Sequence, residues 1–151
     1  MSNNLLLTPL LADDSPLDAH SREVVAALHT REAEAALSLP TDDPLDPKRR
    51  LELGFVQARL GDKEAAIVNG RRATEMRPES KDAFDGPQFV VGLAQIYALT
   101  GEADQAVALL RRSLSTPHGV TVAMLQIDPV WDGLRADPRF AELLALKATQ
   151  A

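Results

Sequence analysis

Cysteine is absent and aromatic side chains are scarce, with one Trp, one Tyr and four Phe among 151 residues. The first absence excludes disulfides and thiolate metal sites. The second leaves a core of small and aliphatic side chains, which close helix packing accommodates, so helices are favoured over strands. Basic residues are outnumbered, with 16 Lys and Arg against 22 Asp and Glu and a net charge of −6. That balance gives no footprint for a phosphate backbone or an anionic lipid surface, so neither nucleic acid nor membrane is an expected partner. No stretch approaches the about 20 apolar residues that a membrane helix needs. The short apolar run from Leu5 to Leu11 is broken by Pro9 and lacks the positive flank and small-residue cleavage site of a secretory signal. The expected location is the cytoplasm, and the length suits one domain.

What the chain does contain is a sentence written twice. "QARLGDKEAAIVNGRR" runs from Gln57 to Arg72, and "YALTGEADQAVALLRR" from Tyr97 to Arg112. Without a gap, Ala58 aligns with Ala98, Gly61 with Gly101, Ala66 with Ala106, and Arg71-Arg72 with Arg111-Arg112. Each copy reads as two helices around a glycine turn, since a helix end calls for a residue that accepts a left-handed backbone. The pattern predicts helices over 51–60 and 63–76, then over 88–99 and 103–115. Alanines at 65, 66 and 73 allow the first two to approach closely.

Other elements follow from local chemistry. Asp14 or Ser15 with Pro16 starts a helix that continues to Leu39, its stripe being Leu17, Val24, Leu28, Ala35 and Leu39. Residues 1–14 ahead of it are expected to be flexible. Asp46-Pro47, Asp85 before Pro87, Asp128-Pro129 and Asp137-Pro138 each read as an N-cap followed by a first-turn proline. The tail then holds a short helix over 121–127, a one-turn element over 129–134 and a final helix from Pro138 to about Ala148. Trp131, Leu134 and Phe140 are expected to fold onto the preceding helix pair as a cap.

Leu53-Gly54, Ala66, Ala73 and Pro78 stand at the spacings of the tetratricopeptide signature, with Gln57 where tyrosine is usual. In the second copy Leu93-Ala94, Tyr97, Ala106 and Leu110 match, and Pro117 comes one place early. The chain thus resembles a degenerate tetratricopeptide array. Gly61 and Gly101 are further apart than its 34-residue period by about six residues. "DAFDGP" at Asp82 to Pro87 and "DPVWDGLRADPRF" at Asp128 to Phe140 are similar to the C-terminal repeat region of bacterial multidomain signalling proteins, those with eukaryotic-like serine/threonine kinases or cyclase-like regulators. The resemblance implies an all-α domain over 15–151, with repeat pairs at about 48–78 and 87–117 in a short right-handed superhelix and a helical cap at 119–148. It carries over no catalytic segment.

Catalytic chemistry is not legible. No nucleophile elbow, phosphate loop or glycine-rich nucleotide loop occurs, so no enzyme activity and no cofactor are expected. His20 with Glu23 and His29 with Glu32 look like metal pairs, but nine residues of helix turn them to opposite sides, and no metal is expected. His118 stands in a loop with no evident partner. "DAFDGP" lacks the ligand alternation of a calcium loop. The arginine pairs lie near helix C-termini, where positive charge favours the dipole. In the resembled family the first helix of each pair lines a concave face, which places Leu51, Phe55, Ala58 and Arg59 there with Gln88, Val91, Gln95 and Leu99. This face is apolar, unlike the lysine- and asparagine-rich clamps that grip a terminal carboxylate. The expected function is therefore a non-enzymatic protein–protein interaction module that takes a peptide or helix in its groove. The other readings are a recruiting tail of a signalling kinase or cyclase, and a self-assembly unit forming a homo-oligomer.

Overall fold

The computed structural model describes residues 46–146, together with Ala27 and Arg31, which are helical and exposed. The expected flexible segment 1–14, the rest of the helix over 16–39 and the last residues of the C-terminal helix lie outside the described residues. Among the described residues every regular element is helical. In order they are α1 (Pro47–Arg59), α2 (Lys63–Met76), α3 (Gly86–Leu99), α4 (Ala103–Ser113), α5 (Val122–Ile127), a 3-10 helix (Pro129–Leu134) and α6 (Pro138–Ala145).

The starts of these helices follow from the Asp-Pro chemistry, with one exception. The Asp46 carboxylate accepts from the Lys48 amide at 3.0 Å, Asp128 from Val130 at 3.0 Å, and Asp137 from Arg139 at 2.9 Å. In each case proline occupies the first turn, where its missing N–H leaves nothing unsatisfied. Asp85 was expected to do the same for α3 and does not: it makes no side-chain cap bond. Asp82 orders that corner instead, its Oδ1 accepting from the amides of Phe84 at 3.2 Å and Asp85 at 2.9 Å. Its other oxygen receives Arg77 Nη1 at 3.0 Å. The loop is thus tied from upstream, and α3 begins at Gly86, where a Cβ would stand 2.7 Å from Glu79 Cα.

Both glycine turns close in the same way. Gly61 and Gly101 have φ of 86° and 80°. The amide of Asp62 reaches Gln57 O at 2.9 Å while Gly61 N reaches Ala58 O, and Glu102 N reaches Tyr97 O at 2.9 Å while Gly101 N reaches Ala98 O. This paired bonding satisfies the last carbonyls of α1 and α3 with the left-handed residue that the motif needs. The turns meet through an ion pair between Lys63 and Glu102.

Helix α3 is the centre of the domain. It packs against α1, α2, α4 and the 3-10 helix, and nine of its fourteen residues are buried. One core cluster joins Leu93 and Tyr97 of α3 to Leu110, Leu125, Trp131, Leu134, Phe140 and Leu143. Trp131 and Phe140 are each 1% exposed, so the C-terminal elements do pack down on α3 and α4. A smaller cluster of Ala58, Ala66 and Ile96 lies under α1 and α2. There the helices approach through small residues: a Cβ added to Gly54 would stand 2.8 Å from Ile96 Cδ1, and one on Gly70 2.8 Å from the same atom.

The tail is secured by charge and hydrogen bonds as well as by burial. Arg139 bridges Asp104 of α4 at 2.6 Å and Asp137 at 2.7 Å, which holds the Asp137 carboxyl below its ordinary range and raises the guanidinium's pKa. Arg135 donates to the carbonyls of Gln126 and Asp128 at 3.1 and 3.2 Å, occupying acceptors left open at the end of α5. The Ser113 hydroxyl is buried and accepts from the Val120 amide at 2.9 Å.

Candidate partner groove

Helices α1 and α3 run side by side and each turns one face to a common cavity of about 440 Å³. From α1 come Leu51, Glu52, Phe55 and Arg59, spaced by one, three and four residues, so that they share a helical face. From α3 come Gln88, Val91, Gly92 and Gln95, at the same kind of spacing. Gly92 lets the helices close, since a Cβ there would fall 2.5 Å from Leu51 Cδ2. The third side is C-terminal: Gly119, Val120, Met124, Asp128 and Trp131.

Six of the seven groove residues expected from the sequence therefore line one space. Leu99 does not. It packs against both core clusters and is absent from the lining, as is Ala58, which is buried beneath α1. The C-terminal wall was missed. The sequence marks Trp131 only as a cap residue, and a cavity wall shared by positions 55, 91 and 131 leaves no periodic trace in the chain. Glu52 was missed as well, although its place beside Leu51 could have shown it.

The chemistry of the space is apolar with a few polar points. Leu51, Phe55, Val91, Val120 and Met124 supply carbon surface, and Met124 is 43% exposed. One polar atom of the lining stands out. The Trp131 indole N–H is buried and finds no acceptor, a state that costs about 1–3 kcal/mol when nothing fills it. The Gln95 side chain is half-buried in the lining. Gln88, by contrast, donates from Nε2 to the carbonyl of His118.

That bond corrects the expectation for His118. Its ring lies 4.9 Å from the ring of Phe84, and its φ of 60° turns the chain toward Gly119. Phe84 itself is 70% exposed, so the two rings form an aromatic lip next to Gln88. A second cavity, also about 440 Å³, adjoins the groove: it shares Leu51, Glu52 and Gln88 and extends past Asp46, Pro47, Lys48 and Arg77 to Phe89. The chain enters α1 along its edge.

Among the described residues no group of three or more His, Asp or Glu side chains could hold a metal ion. None of their helices is long and apolar enough to cross a membrane. The carboxylates held below the ordinary range are Asp82, chiefly by the Asp85 amide, and Asp137, chiefly by Arg139, and both anchor loops outside the groove. The arginine pairs also act structurally. Arg71 Nε donates to Tyr97 OH at 2.8 Å, Arg72 pairs with Glu75, Arg111 with Glu142 and Arg112 with Glu79. The chain matches no family model, and no curated protein or solved structure matches it.

Proposed function

We propose that this protein is a tetratricopeptide-like interaction module, without catalytic activity of its own, that binds an apolar peptide or amphipathic helix in the groove between α1, α3 and the C-terminal elements. One observation carries the reading: Leu51, Phe55, Val91, Val120, Met124 and Trp131 line one cavity of about 440 Å³, with the polar side chains of Gln88 and Gln95 at its wall. Apolar walls with a few directed polar points are what peptide grooves present. The net charge of −6 argues against phosphate backbones and anionic membranes as partners, and a cytoplasmic protein partner fits best. The matching glycine turns and the small residues at helix crossings support a right-handed array of tetratricopeptide type.

A second reading is favoured by a specific feature. The motifs "DAFDGP" and "DPVWDGLRADPRF" resemble those of repeat tails on bacterial signalling kinases and cyclases. Their aspartates at 82, 128 and 137 all serve as loop anchors or caps. The same groove would then recruit a substrate or regulator to such an enzyme.

Trp131 is the single tryptophan and lines the groove, so its emission reports occupancy. A panel of synthetic amphipathic peptides with leucine stripes is expected to include members that change that emission saturably, at one peptide per chain. If none of the panel alters it and calorimetry detects no heat, the groove is not a peptide site.

A further inference from the structure

Four large apolar side chains stand exposed among the described residues, Leu60, Val68, Phe84 and Met124, and of these Met124 alone lines the groove. Its place is set by α5. The Thr121 hydroxyl accepts from the Met124 amide at 3.3 Å to start that helix, and Val122 and Leu125 are buried on its core side. Two steps of about 100° separate Met124 from Val122, which turns its side chain off the core and into the cavity that Leu51 and Val91 also line.

Composition makes that position chemically distinct. With no cysteine and three methionines, thioethers are the only sulfur in the chain. Met76, at the end of α2, is half-buried and outside the groove lining. Met124, at 43% exposure, is open to a dissolved oxidant. A peroxide converts a thioether to a sulfoxide: an S–O bond forms as the O–O bond breaks, sulfur gives up two electrons, and hydrogen peroxide leaves as water. The product is a polar side chain where an apolar one stood. When a partner's apolar surface covers it, the new S=O loses its water without gaining a donor, which disfavours the bound state.

We infer that Met124 is an oxidation switch on the groove: the thioether admits an apolar peptide, and the sulfoxide at this one position weakens its hold until a sulfoxide reductase restores the thioether. This rests on the groove being a peptide site.

The test uses the full chain and an amphipathic panel peptide free of methionine, cysteine and tryptophan, with binding read by calorimetry. Limited treatment with hydrogen peroxide, its removal and mass mapping of the digested protein are expected to show oxygen on Met124 well ahead of Met76. The oxidised chain should bind the peptide at least about fivefold more weakly, with unchanged helicity, and methionine sulfoxide reductase should return the original Kd. Met124→Leu, measured against its own starting affinity, should lose none of it through the same treatment. Met76→Leu should remain as sensitive as the unaltered chain. If Met76 takes oxygen first, if oxidation of Met124 leaves Kd unchanged, or if Met124→Leu weakens on treatment as much as the unaltered chain, the inference is wrong while the groove reading stands. Loss of helicity on oxidation would also overturn it, because the sulfur would then be part of the core. If no panel peptide binds before treatment, the groove reading itself fails, and the switch with it.

Discussion

Residue 57 is a glutamine and residue 97, at the equivalent place in the second helix pair, is a tyrosine. Gln57 accepts from Asn69 Nδ2 at 2.8 Å, and Asn69 in turn accepts from Arg50 at 3.4 Å. Tyr97 is 5% exposed within the main core, and its hydroxyl accepts from Arg71. The same contrast runs through both pairs. In α1 only Gly54 and Ala58 are buried, whereas α3 buries Val90, Leu93, Ile96 and Tyr97 among others. Two copies of one pattern thus hold together differently, the first by small-residue crossings and a polar network, the second by large apolar side chains. Burial of carbon surface stabilises more than partly exposed hydrogen bonds do. The second pair with its C-terminal elements accordingly carries the larger apolar core.

The most severe way to probe this contrast is at the junction of the second pair with the tail. Trp131→Ala removes a side chain that is 1% exposed and should cost about 3–5 kcal/mol, the usual toll for a buried aromatic. Its effect should appear as a lower midpoint for the whole helical transition in thermal melts. A mutant that melts at the original temperature would mean that the tail is not part of the core.

The first pair is better tested by adding an atom than by deleting a ring. Gly54→Ala gains up to about 1 kcal/mol of helix propensity, but its new Cβ would meet Ile96 Cδ1 at 2.8 Å and the Ala66 carbonyl at 3.0 Å. The backbone oxygen cannot swing aside, so overpacking at about 1–3 kcal/mol should prevail. In urea the variant should unfold at lower concentration than the unaltered chain. Stabilisation would show that α1 and α2 are spaced more widely than the crossing requires.

A smaller effect comes from acid. Asp82 and Asp137 have folded pKa values below those of the unfolded chain. Such groups contribute stability above the ordinary carboxylate pKa of about 4 and lose it as pH falls through their folded values. Stability should therefore drop below about pH 4, and Asp82→Asn should flatten part of that slope. A slope that is identical in the variant would rule out the Asp82 contribution.

Features set by neighbouring residues were legible in the chain, and those set by distant ones were not. Asp46, Asp128 and Asp137 announce their helices because cap and proline are adjacent, and both glycine turns follow from one residue's backbone freedom. Asp85 misled because the Gln88 amide it would cap bonds to the Asp85 carbonyl at 3.0 Å, while its carboxylate lies 3.7 Å from Arg77. His118 finds Phe84 across the domain, and Trp131 meets the α1–α3 face from the far end of the chain, contacts that no local pattern records. Leu99 has the right helical phase for the groove, yet it lies at the end of α3 where both core clusters draw it in.

The groove reading depends most on Phe55, a half-buried aromatic on the more polar helix pair. Phe55→Ala should weaken binding of an amphipathic panel peptide by about 2 kcal/mol or more, roughly 30-fold in Kd, as expected of an anchoring side chain. Far-UV helicity and the cooperative melt should stay nearly intact. If the variant instead loses its helical signal or its cooperative transition, Phe55 is a core residue, and a groove with Phe55 as its anchor is ruled out.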